Sequence, residues 1–208
     1  MSISQESKIV VQTAAGLKKD NASYWDLRYL QNDSPWTLDV PSPPLVHFVR
    51  DLERSLSILV PGAGCSPDIK FLCESGFSNI TVCDISQTAI ERMSENLGNA
   101  DMVTFICDDF FNIQGTFDII LEQTFFCALD PSERTGYVDK MYDLLSENGL
   151  FAGLLFNRYF DKPGPPYGGS KKEYTALFSK RLHIIKMEMC YNSISPRENT
   201  ELFFICKK

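Results

Sequence analysis

The chain has 208 residues, of which 44% are hydrophobic and 23% charged, and it carries a formal net charge of −7 at pH 7. This composition indicates an ordered globular protein with one core, and the acidic balance argues against a nucleic-acid partner, which would require a basic face. No apolar run approaches the roughly 20 residues of a membrane helix, and the first residues lack the pattern of a secretory signal, so we expect a cytoplasmic protein without a membrane partner.

The cysteines and histidines do not indicate a metal site. Seven cysteines are scattered through apolar runs without a C-x-x-C pair, and the sequence contains only two histidines. We therefore expect buried reduced thiols and no metal.

The first 50 residues differ in pattern from the rest of the chain. Residues 8–28 have helical spacing, and the segment DSPWTLDVPSPP that follows is typical of a proline-rich extended connector. We expect one domain over 1–208, in which residues 1–50 cap the ligand site and residues 51–208 form an α/β core.

From residue 51 onward, strand-like and helical patterns alternate. Short apolar runs predict strands at 57–61, 79–83, 102–107, 117–121 and 150–156. Helical spacing predicts helices at 68–75, at 87–97 with Asp84 or Ser86 near its cap, and at 132–145. This alternation requires a parallel sheet with helices on both faces.

The C-terminal part has a different pattern. A helix at 171–180 is followed by strand-like runs at 183–191 and 201–206, which suggest a closing antiparallel pair. The predicted fold is an open, Rossmann-like α/β sheet, mostly parallel, with an antiparallel edge strand.

A glycine turn directly follows the first predicted strand. Residues Pro61-Gly62-Ala63-Gly64-Cys65 lie at the carboxyl end of that strand, where open α/β sheets bind ligands. Asp84 stands 20 residues beyond Gly64 (84 − 64 = 20), at the end of the second predicted strand, the spacing at which an acid meets the hydroxyls of a ribose. The ligand predicted by this spacing contains a nucleoside.

Position 67 separates two classes of nucleoside cofactor. A dinucleotide fingerprint requires a glycine three residues after Gly64, where this chain has Pro67. Ser66-Pro67 is typical of a helix N-cap followed by a first-turn proline, which removes one N–H that could bind a phosphate. A cofactor without a pyrophosphate fits better, and we predict S-adenosylmethionine, with a turn that binds no ligand as the alternative.

Four stretches together resemble the thiopurine methyltransferase superfamily, and most closely its thiol and halide/thiocyanate methyltransferase branch: PGAGCSPD, CDIS, EQTFFCALDPSERTGYVDKMYDLLSENG and GPPY. The resemblance covers nearly the whole chain from Tyr24, and TFFCALDPSER is its most specific part. Pro35-Trp36 also resembles the entry segment of that family. The chain departs from the family pattern at Gln123, where an aromatic residue is frequent, and at Thr37, where aspartate is usual.

The resemblance implies a class I methyltransferase that uses S-adenosylmethionine and releases S-adenosylhomocysteine. The methyl acceptor it implies is a small soft nucleophile: a thiol, hydrosulfide, thiocyanate, halide or thiopurine. Alternatives are a methyltransferase for an oxygen or nitrogen acceptor and a non-catalytic module that binds the cofactor. The identity of the acceptor and the oligomeric state are left open.

The cofactor side of the site implied by the resemblance lies at the first two strand ends and in the N-terminal segment. Gly62 and Gly64 are expected against the methionine moiety and Asp84 on the ribose, with helix capping as the alternative for Asp84. Ile85 is expected against adenine. Trp36 is expected to fold over the cofactor, because a sulfonium is attracted to an aromatic face; a hydrophobic anchor is its alternative.

Further cofactor residues are expected at the next two strand ends. Asp108 and Asp109 adjoin the adenine amino group in this interpretation, although Asp109 is equally suited to cap a short helix. Phe110 lies beside them as core or adenine platform. Glu122 or the Gln123 backbone is expected to meet the methionine ammonium.

The resemblance implies four residues on the methyl-acceptor side. Phe125 is expected to wall the acceptor pocket, and Tyr167 is the pocket residue of a lid over 158–170, RYFDKPGPPYGGS. Arg197 resembles a basic position of the family and is expected to attract an anionic acceptor, or to be an uninvolved surface residue. Gln123 is included among the residues of this catalytic part.

Overall fold

Strands and helices occupy most of the two ranges that the computed structural model describes, 22–98 and 101–208. Most of the helix predicted over 8–28 therefore lies outside the described residues. The helices are α1 (Ala22–Leu30), α2 (Pro43–Val49), α3 (Pro67–Glu74), α4 (Gln87–Leu97), α5 (Arg134–Leu144) and α6 (Lys171–Phe178). The strands are β1 (Ile58–Pro61), β2 (Ile80–Asp84), β3 (Val103–Cys107), β4 (Phe117–Gln123), β5 (Leu145–Phe156), β6 (His183–Met189) and β7 (Glu201–Lys207).

The seven strands form one sheet in the order β3-β2-β1-β4-β5-β7-β6. The five strands from β3 to β5 are parallel, and β7 pairs antiparallel with both β5 and β6. The mostly parallel Rossmann-like sheet with an antiparallel pair at one side is thus confirmed, with the reversed strand β7 one position in from the edge. The strand order reverses between β1 and β4, which is where sheets of this type bind ligands.

Helices cover both faces of the sheet, and each face has its own hydrophobic core. Along β1, Ile58 and Val60 pack into the core under α2, α3 and α4, whereas Leu59 packs into the core under α5 and α6. Successive side chains of a strand point to opposite faces, so a strand with both faces covered is apolar throughout. All residues of β1 and β2 are buried accordingly.

The helices that follow β1 and β2 begin at serine caps. Ser66 accepts a hydrogen bond from the N–H of Asp68 (3.1 Å) and precedes Pro67, the first residue of α3. Ser86 accepts one from the N–H of Ala89 (3.1 Å) and caps α4. The sequence left Asp84 and Ser86 as alternatives for the second cap, and the structure assigns it to Ser86.

The proline-rich connector contains a helix that the sequence interpretation missed. Pro43 occupies the first position of α2, where a fixed φ and a missing N–H are both tolerated, and Leu45 and Val49 then reach the core. The N–H of Ser42 donates to the buried carboxylate of Asp68 (2.7 Å), which fastens the connector to the start of α3. The expectation of an extended segment over 33–44 was therefore wrong for Pro43 and Pro44, and no element was predicted for the rest of α2.

The observed boundaries of two elements differ from those predicted, and the difference changes where residues near the site lie in the fold. The strand predicted at 117–121 extends through Gln123, so Glu122 and Gln123 belong to β4 and not to the loop after it. The helix predicted at 132–145 begins at Arg134, after a 3-10 turn at Pro131–Glu133.

The cysteines form no disulfide in the described residues, but their burial differs from the expectation. Four of the seven are buried, Cys65 and Cys73 are half-buried, and Cys107 is exposed. Cys107 ends β3, the strand at the edge of the sheet, which explains its exposure. Within the described ranges, no helix has both the length and the apolar character needed to cross a bilayer.

Candidate active site

A cavity of about 970 Å³ lies at the carboxyl ends of β1, β2 and β4. Ten of the predicted site residues line it: Trp36, Gly62, Asp84, Ile85, Asp108, Asp109, Phe110, Phe125, Tyr167 and Arg197. Three others, Gly64, Glu122 and Gln123, are not among its lining residues. Among the residues described, no group of three or more histidine, cysteine, aspartate or glutamate side chains is arranged to hold a metal ion.

Asp84 joins the two turns that form the floor of this cavity. Its Oδ2 accepts the N–H of Gly64 (2.8 Å) and its Oδ1 accepts the N–H of Ser86 (2.9 Å). The side chain is buried, and burial raises the pKa of its carboxyl to about 6. The N–H of Ile85 also acts on this carboxylate, which has about four acceptor positions and can therefore still accept a donor from a ligand in the cavity.

The glycine turn after β1 is crowded by aromatic side chains of the chain itself. Gly62 and Gly64 have φ values of 56° and 54°, a conformation that favours glycine. A Cβ atom on Gly62 would overlap the ring of Phe125, and one on Gly64 would overlap the hydroxyl of Tyr29. Gly62 still lines the cavity, whereas Gly64 lies behind Tyr29 and contributes its N–H to Asp84.

A cluster of Trp25, Tyr29 and Trp36, named here the cap cluster, covers one side of the cavity. Trp36 packs edge-to-face on Trp25 and Tyr29, with centroids 5.3 and 5.7 Å apart, and its Nε1 donates to the Tyr29 hydroxyl (2.9 Å). The guanidinium of Arg28 lies 4.6 Å from the Trp36 ring centroid. Because one cation already lies over Trp36, the predicted contact with a sulfonium would require another part of the ring.

Polar contacts fasten the N-terminal segment to the site. Asp26 in α1 accepts the hydroxyl of Ser86 (2.6 Å) and the N–H of Thr88 (3.0 Å) at the start of α4. At the other end, Nη2 of Arg197 donates to the carbonyl of Trp36 (3.1 Å). The segment is therefore connected both to the turn beside Asp84 and to the loop before β7.

Arg197 is buried and its charge is paired. It is 8% exposed, and its Nη1 lies 3.3 Å from Oε1 of Glu201, which is 3% exposed. Desolvation raises the pKa of the Glu201 carboxyl, and the Arg197 charge opposes this rise. Arg197 is buried and lines the cavity, so it is not a surface residue, and its attraction for an anionic acceptor stays a prediction.

The acidic pair after β3 is exposed and shapes the turn there. Asp108 accepts the N–H of Asp109 (2.7 Å) and the side-chain amide of Asn112 (2.9 Å). Asp109 accepts the N–H of Phe111 (2.9 Å) and caps a 3-10 turn. Phe110 is 4% exposed and belongs to the core, although one edge lines the cavity. The capping role of Asp109 is thus established, and its contact with adenine stays a prediction.

Glu122 lies beneath the cavity and organises the loop that walls it. Its Oε1 accepts the N–H groups of Phe125 (2.9 Å) and Phe126 (3.0 Å), and its Oε2 accepts the hydroxyl of Tyr137 (2.6 Å). The side chain is 0% exposed, and burial raises the pKa of its carboxyl to about 7. The alternation of β4 explains this position, since Glu122 shares the face of Ile120 that packs under α5.

Gln123 is the last residue of β4, and Tyr167 lies in the lid segment (158–170). Oε1 of Gln123 is buried without a hydrogen-bond partner in the structure. Tyr167, in the lid segment, lines the cavity beside Asp130, and its N–H donates to the carbonyl of Cys127 (2.7 Å). Desolvation and the Asp130 charge both raise the pKa of the Tyr167 hydroxyl.

Three residues whose contacts shape the site were not predicted from the sequence. Tyr29 lies against Gly64, Asp26 ties α1 to α4, and Tyr137 holds Glu122. Asp26 and Tyr29 are three residues apart, so a common helix face could have been read from the sequence. Their partners are in α4 and the glycine turn, and no local pattern identifies contacts over such separations.

The geometry agrees with the comparison to protein families. The model of the thiopurine S-methyltransferase family matches residues 20–203. The chain belongs to the thiopurine S-methyltransferase family. The family, the enzyme class and the cofactor that the sequence resemblance implied are thereby confirmed.

Curated relatives of this family member include two plant proteins. It is 30% identical over 196 residues to a probable thiol methyltransferase 2 of Arabidopsis thaliana, covering 89% of this chain and 84% of the relative. It is 31% identical over 184 residues to thiocyanate methyltransferase 1 of Brassica oleracea, covering 85% and 81%.

A solved structure supports the fold of this family member. The N-methyltransferase NodS of Bradyrhizobium japonicum, in complex with S-adenosylhomocysteine, superimposes with a TM-score of 0.71 at 18% identity, covering 90% of this chain and 98% of that one. At this identity the likeness concerns the fold alone.

The crowding at Gly64 gives a testable difference between two glycines. Gly64→Ala and Gly76→Ala both place a side chain at positive φ, which costs about 1–2 kcal/mol. Only Gly64→Ala also meets Tyr29, since an added Cβ at Gly76 meets nothing within 4 Å. We expect Gly64→Ala to lower the free energy of unfolding in urea by at least ~1 kcal/mol more.

The chain's two tryptophans, Trp25 and Trp36, both lie in the cap cluster. Their fluorescence should therefore change in Gly64→Ala and not in Gly76→Ala. Equal stability losses with unchanged fluorescence in both variants would contradict the contact between Tyr29 and Gly64.

The buried carboxyl of Glu122 predicts a pH-dependent stability. Because its pKa is raised from 4.5 to about 7, the folded state binds more protons than the unfolded state between these pH values. This group therefore contributes less to stability as pH rises through 7. Glu122→Gln should gain about 2 kcal/mol of unfolding free energy relative to the parent between pH 5.5 and pH 8, at ~1.4 kcal/mol per pKa unit.

Glu173→Gln is the control for this measurement. Its carboxyl is exposed, and a hydrogen bond from Tyr159 lowers its pKa, so it stays ionised throughout this range. Its effect on stability should be the same at both pH values. A pH-independent difference between Glu122→Gln and the parent would show that Glu122 does not titrate in this range.

Proposed function

We propose that this chain transfers a methyl group from S-adenosylmethionine to a small soft nucleophile such as a thiol, hydrosulfide, thiocyanate, halide or thiopurine. The observation that carries the proposal is the buried carboxylate of Asp84, held by both turns at the floor of a cavity with aromatic walls. Relatives named as thiol and thiocyanate methyltransferases support the same class of acceptor.

The residues around Asp84 fit the nucleoside part of the cofactor. We propose that the free acceptor positions of Asp84 bind the ribose hydroxyls and that Ile85, which lines the cavity next to it, packs on adenine. Asp108 and Asp109 line the same part and can accept hydrogen bonds from the adenine amino group. When bound, S-adenosylmethionine supplies a methyl group on a positively charged sulfur. The nucleophile attacks the methyl carbon, and the sulfur is the leaving group.

We assign the methionine end of the cofactor to backbone groups. Gly62 lines the cavity at the end of β1. The side chain of Phe125, in the loop after β4, packs directly against Gly62 and so brings the end of β4 next to it. The carboxylate oxygens of Glu122 are occupied by three donors within the core, so its side chain holds the loop in place and does not bind the ammonium. The Gln123 backbone stays the candidate for that contact.

The methyl-acceptor side is formed by aromatic residues and by one paired arginine. We propose that Phe125 and Tyr167 wall the acceptor and exclude water, which favours displacement at a positively charged centre. Because Arg197 is already paired with Glu201, its attraction for an anionic acceptor is reduced. Its hydrogen bond to the Trp36 carbonyl makes it a link between the acceptor side and the cap.

Among the residues that the structure describes, those lining the cavity include five carboxylate side chains and no histidine. An acceptor that carries its own electron pair, such as a thiolate or a halide, needs no base for the transfer. The residues of this chain would then contribute orientation and the exclusion of water. An amine or a hydroxyl would place a greater demand on a base.

The arrangement of the N-terminal segment supports a cap, and we propose that the residues up to 50 cover the cofactor within one catalytic domain. Its contacts with Ser86 and Arg197 attach it at both ends of the cavity. The cytoplasmic location expected from the sequence and the lack of a nucleic-acid partner stay proposals.

A panel of acceptors tests the function directly. The purified chain is incubated with S-adenosylmethionine and, separately, with hydrosulfide, an aliphatic thiol, an aromatic thiol, thiocyanate, iodide, an amine and a phenol. Mass spectrometry should detect methylated products of the sulfur or halide acceptors only. Methylation of the amine or the phenol alone would favour an N- or O-methyltransferase, and binding of the cofactor without any product would favour a non-catalytic module.

The pKa of Asp84 predicts how cofactor affinity depends on pH. Hydrogen bonds from ribose hydroxyls favour the carboxylate over the neutral acid, so binding should release a proton near the Asp84 pKa of about 6. Calorimetric affinity for S-adenosylhomocysteine should fall about tenfold from pH 7 to pH 5, the effect of one pKa unit.

Asp84→Asn is the matched variant, because it keeps the shape and removes the titration. Its affinity should be weaker than that of the parent at pH 7 and nearly constant between pH 5 and 7. A parent affinity that does not change with pH would rule out a ribose contact by the ionised side chain.

A further inference from the structure

The lid segment (158–170) forms a partition between two cavities. Phe160, Pro166 and Tyr167 line both the large cavity and a neighbouring cavity of about 340 Å³. Side chains of a wall with open space on both sides have fewer packing contacts than side chains in a core. Part of the segment is still closely packed, since the guanidinium of Arg158 lies 4.9 Å from the ring centroid of Phe160 and a Cβ on Gly168 would overlap the Arg158 carbonyl. The position of Tyr167, between the two cavities, therefore depends strongly on hydrogen bonds to neighbouring elements.

Hydrogen bonds to three neighbours hold the wall at the residue that faces the methyl acceptor, and one of them joins the Tyr167 hydroxyl to the carboxylate of Asp130. The N–H of Tyr167 donates to the carbonyl of Cys127 (2.7 Å), in the loop after β4. Nη2 of Arg134 donates to the carbonyl of Gly168 (3.0 Å) and lies 3.5 Å from that of Tyr167. Arg134 thus connects the first residue of α5 to the lid segment by its side chain.

The guanidinium of Arg134 is itself held by buried aromatic rings. It lies 4.7 Å from the ring centroid of Phe126 and 5.8 Å from that of Tyr174, and both rings are 1% exposed. A planar guanidinium stacked on a fixed ring has a defined direction, which a lysine ammonium would not have. The donors that reach the lid are therefore fixed by the core.

The charge of Arg134 has no ion-pair partner in the structure. Over the described residues, no carboxylate oxygen lies within 4.0 Å of its nitrogens. Its Nε is buried and has no hydrogen-bond partner, which costs about 1–3 kcal/mol for a buried donor. The ring contacts and the carbonyl hydrogen bonds offset this cost, and they direct the guanidinium at the lid segment.

We propose that Arg134 is a positioning residue for the methyl acceptor, which it affects through the wall at Tyr167 and Gly168. Arg134 lines the second cavity and not the large one, so it touches neither the cofactor site nor the acceptor site. The inference rests on the proposed function, because it assigns Tyr167 to the acceptor side. Loss of Arg134 should therefore weaken acceptor binding and leave cofactor binding intact.

Kinetics of two variants test this role. Arg134→Met keeps the apolar stem and removes the donors, and Arg134→Lys keeps the charge and removes the planar fork. Both should raise KM for the preferred thiol about tenfold, with kcat changed less than about threefold, since loss of a positioning contact on the acceptor acts mainly on its binding. The Kd of S-adenosylhomocysteine should stay within about twofold of the parent value.

Arg181→Met is the matched control. Arg181 also lies over an aromatic ring next to α5, 4.3 Å from the centroid of Tyr142, and contacts Asp139 and Asp143, each at 3.3 Å. It lines neither cavity. Its KM and Kd should equal those of the parent. If Arg134→Met weakened both ligands equally, or neither, the proposal would be overturned.

Hydrogen–deuterium exchange provides a readout that does not depend on activity. Peptides covering 158–170 should exchange about tenfold faster in Arg134→Met than in the parent, while peptides covering 58–66 and 80–89 should not change. Unchanged exchange over 158–170 would overturn the proposal even if kinetics were altered. An unmodified chain that methylates nothing would contradict the proposed function instead, and the exchange result would still decide the role of Arg134.

Discussion

The site depends on one buried carboxylate that bridges two strand ends. Asp84 accepts the N–H of Gly64 after β1 and the N–H of Ser86 after β2, and the parallel pairing of these strands brings both donors to the same edge of the sheet. A buried carboxylate is costly unless it is hydrogen-bonded, so these two donors are needed for the charge to be kept there. The floor of the cavity is consequently set by the backbone of the two turns and by the aromatic side chains that pack against their glycines.

The cap depends on the same turns. Asp26 binds the hydroxyl of Ser86, whose N–H binds Asp84, and the hydroxyl of Tyr29 lies in the space that Gly64 leaves without a side chain. The two glycines are therefore required for contacts within the chain. A change in the glycine turn would alter the cap cluster through the contact between Gly64 and Tyr29.

The sequence predicted those parts of the candidate site that depend on short spacings along the chain. It did not predict the positions of residues that depend on tertiary neighbours. The turn, Asp84 and the exclusion of a dinucleotide by Pro67 followed from residues within one βαβ unit. Glu122 was expected to face the ligand because β4 was predicted two residues too short, and in a strand the face alternates with every residue. No spacing joins Arg134 to the lid, because its partner Gly168 is 34 residues away and the segment between contains a strand.

The distribution of charge limits what can select the methyl acceptor. Arg197 is the buried arginine of the described residues, and its charge is balanced by Glu201 and directed at the Trp36 carbonyl. A paired charge presents a weaker field to the cavity than a free one, so attraction of an anion contributes less than the sequence suggested. Selection then falls to the shape of the aromatic wall. That wall lies between two cavities, and the carbonyl contacts of Arg134 help to hold the part of it around Tyr167 and Gly168.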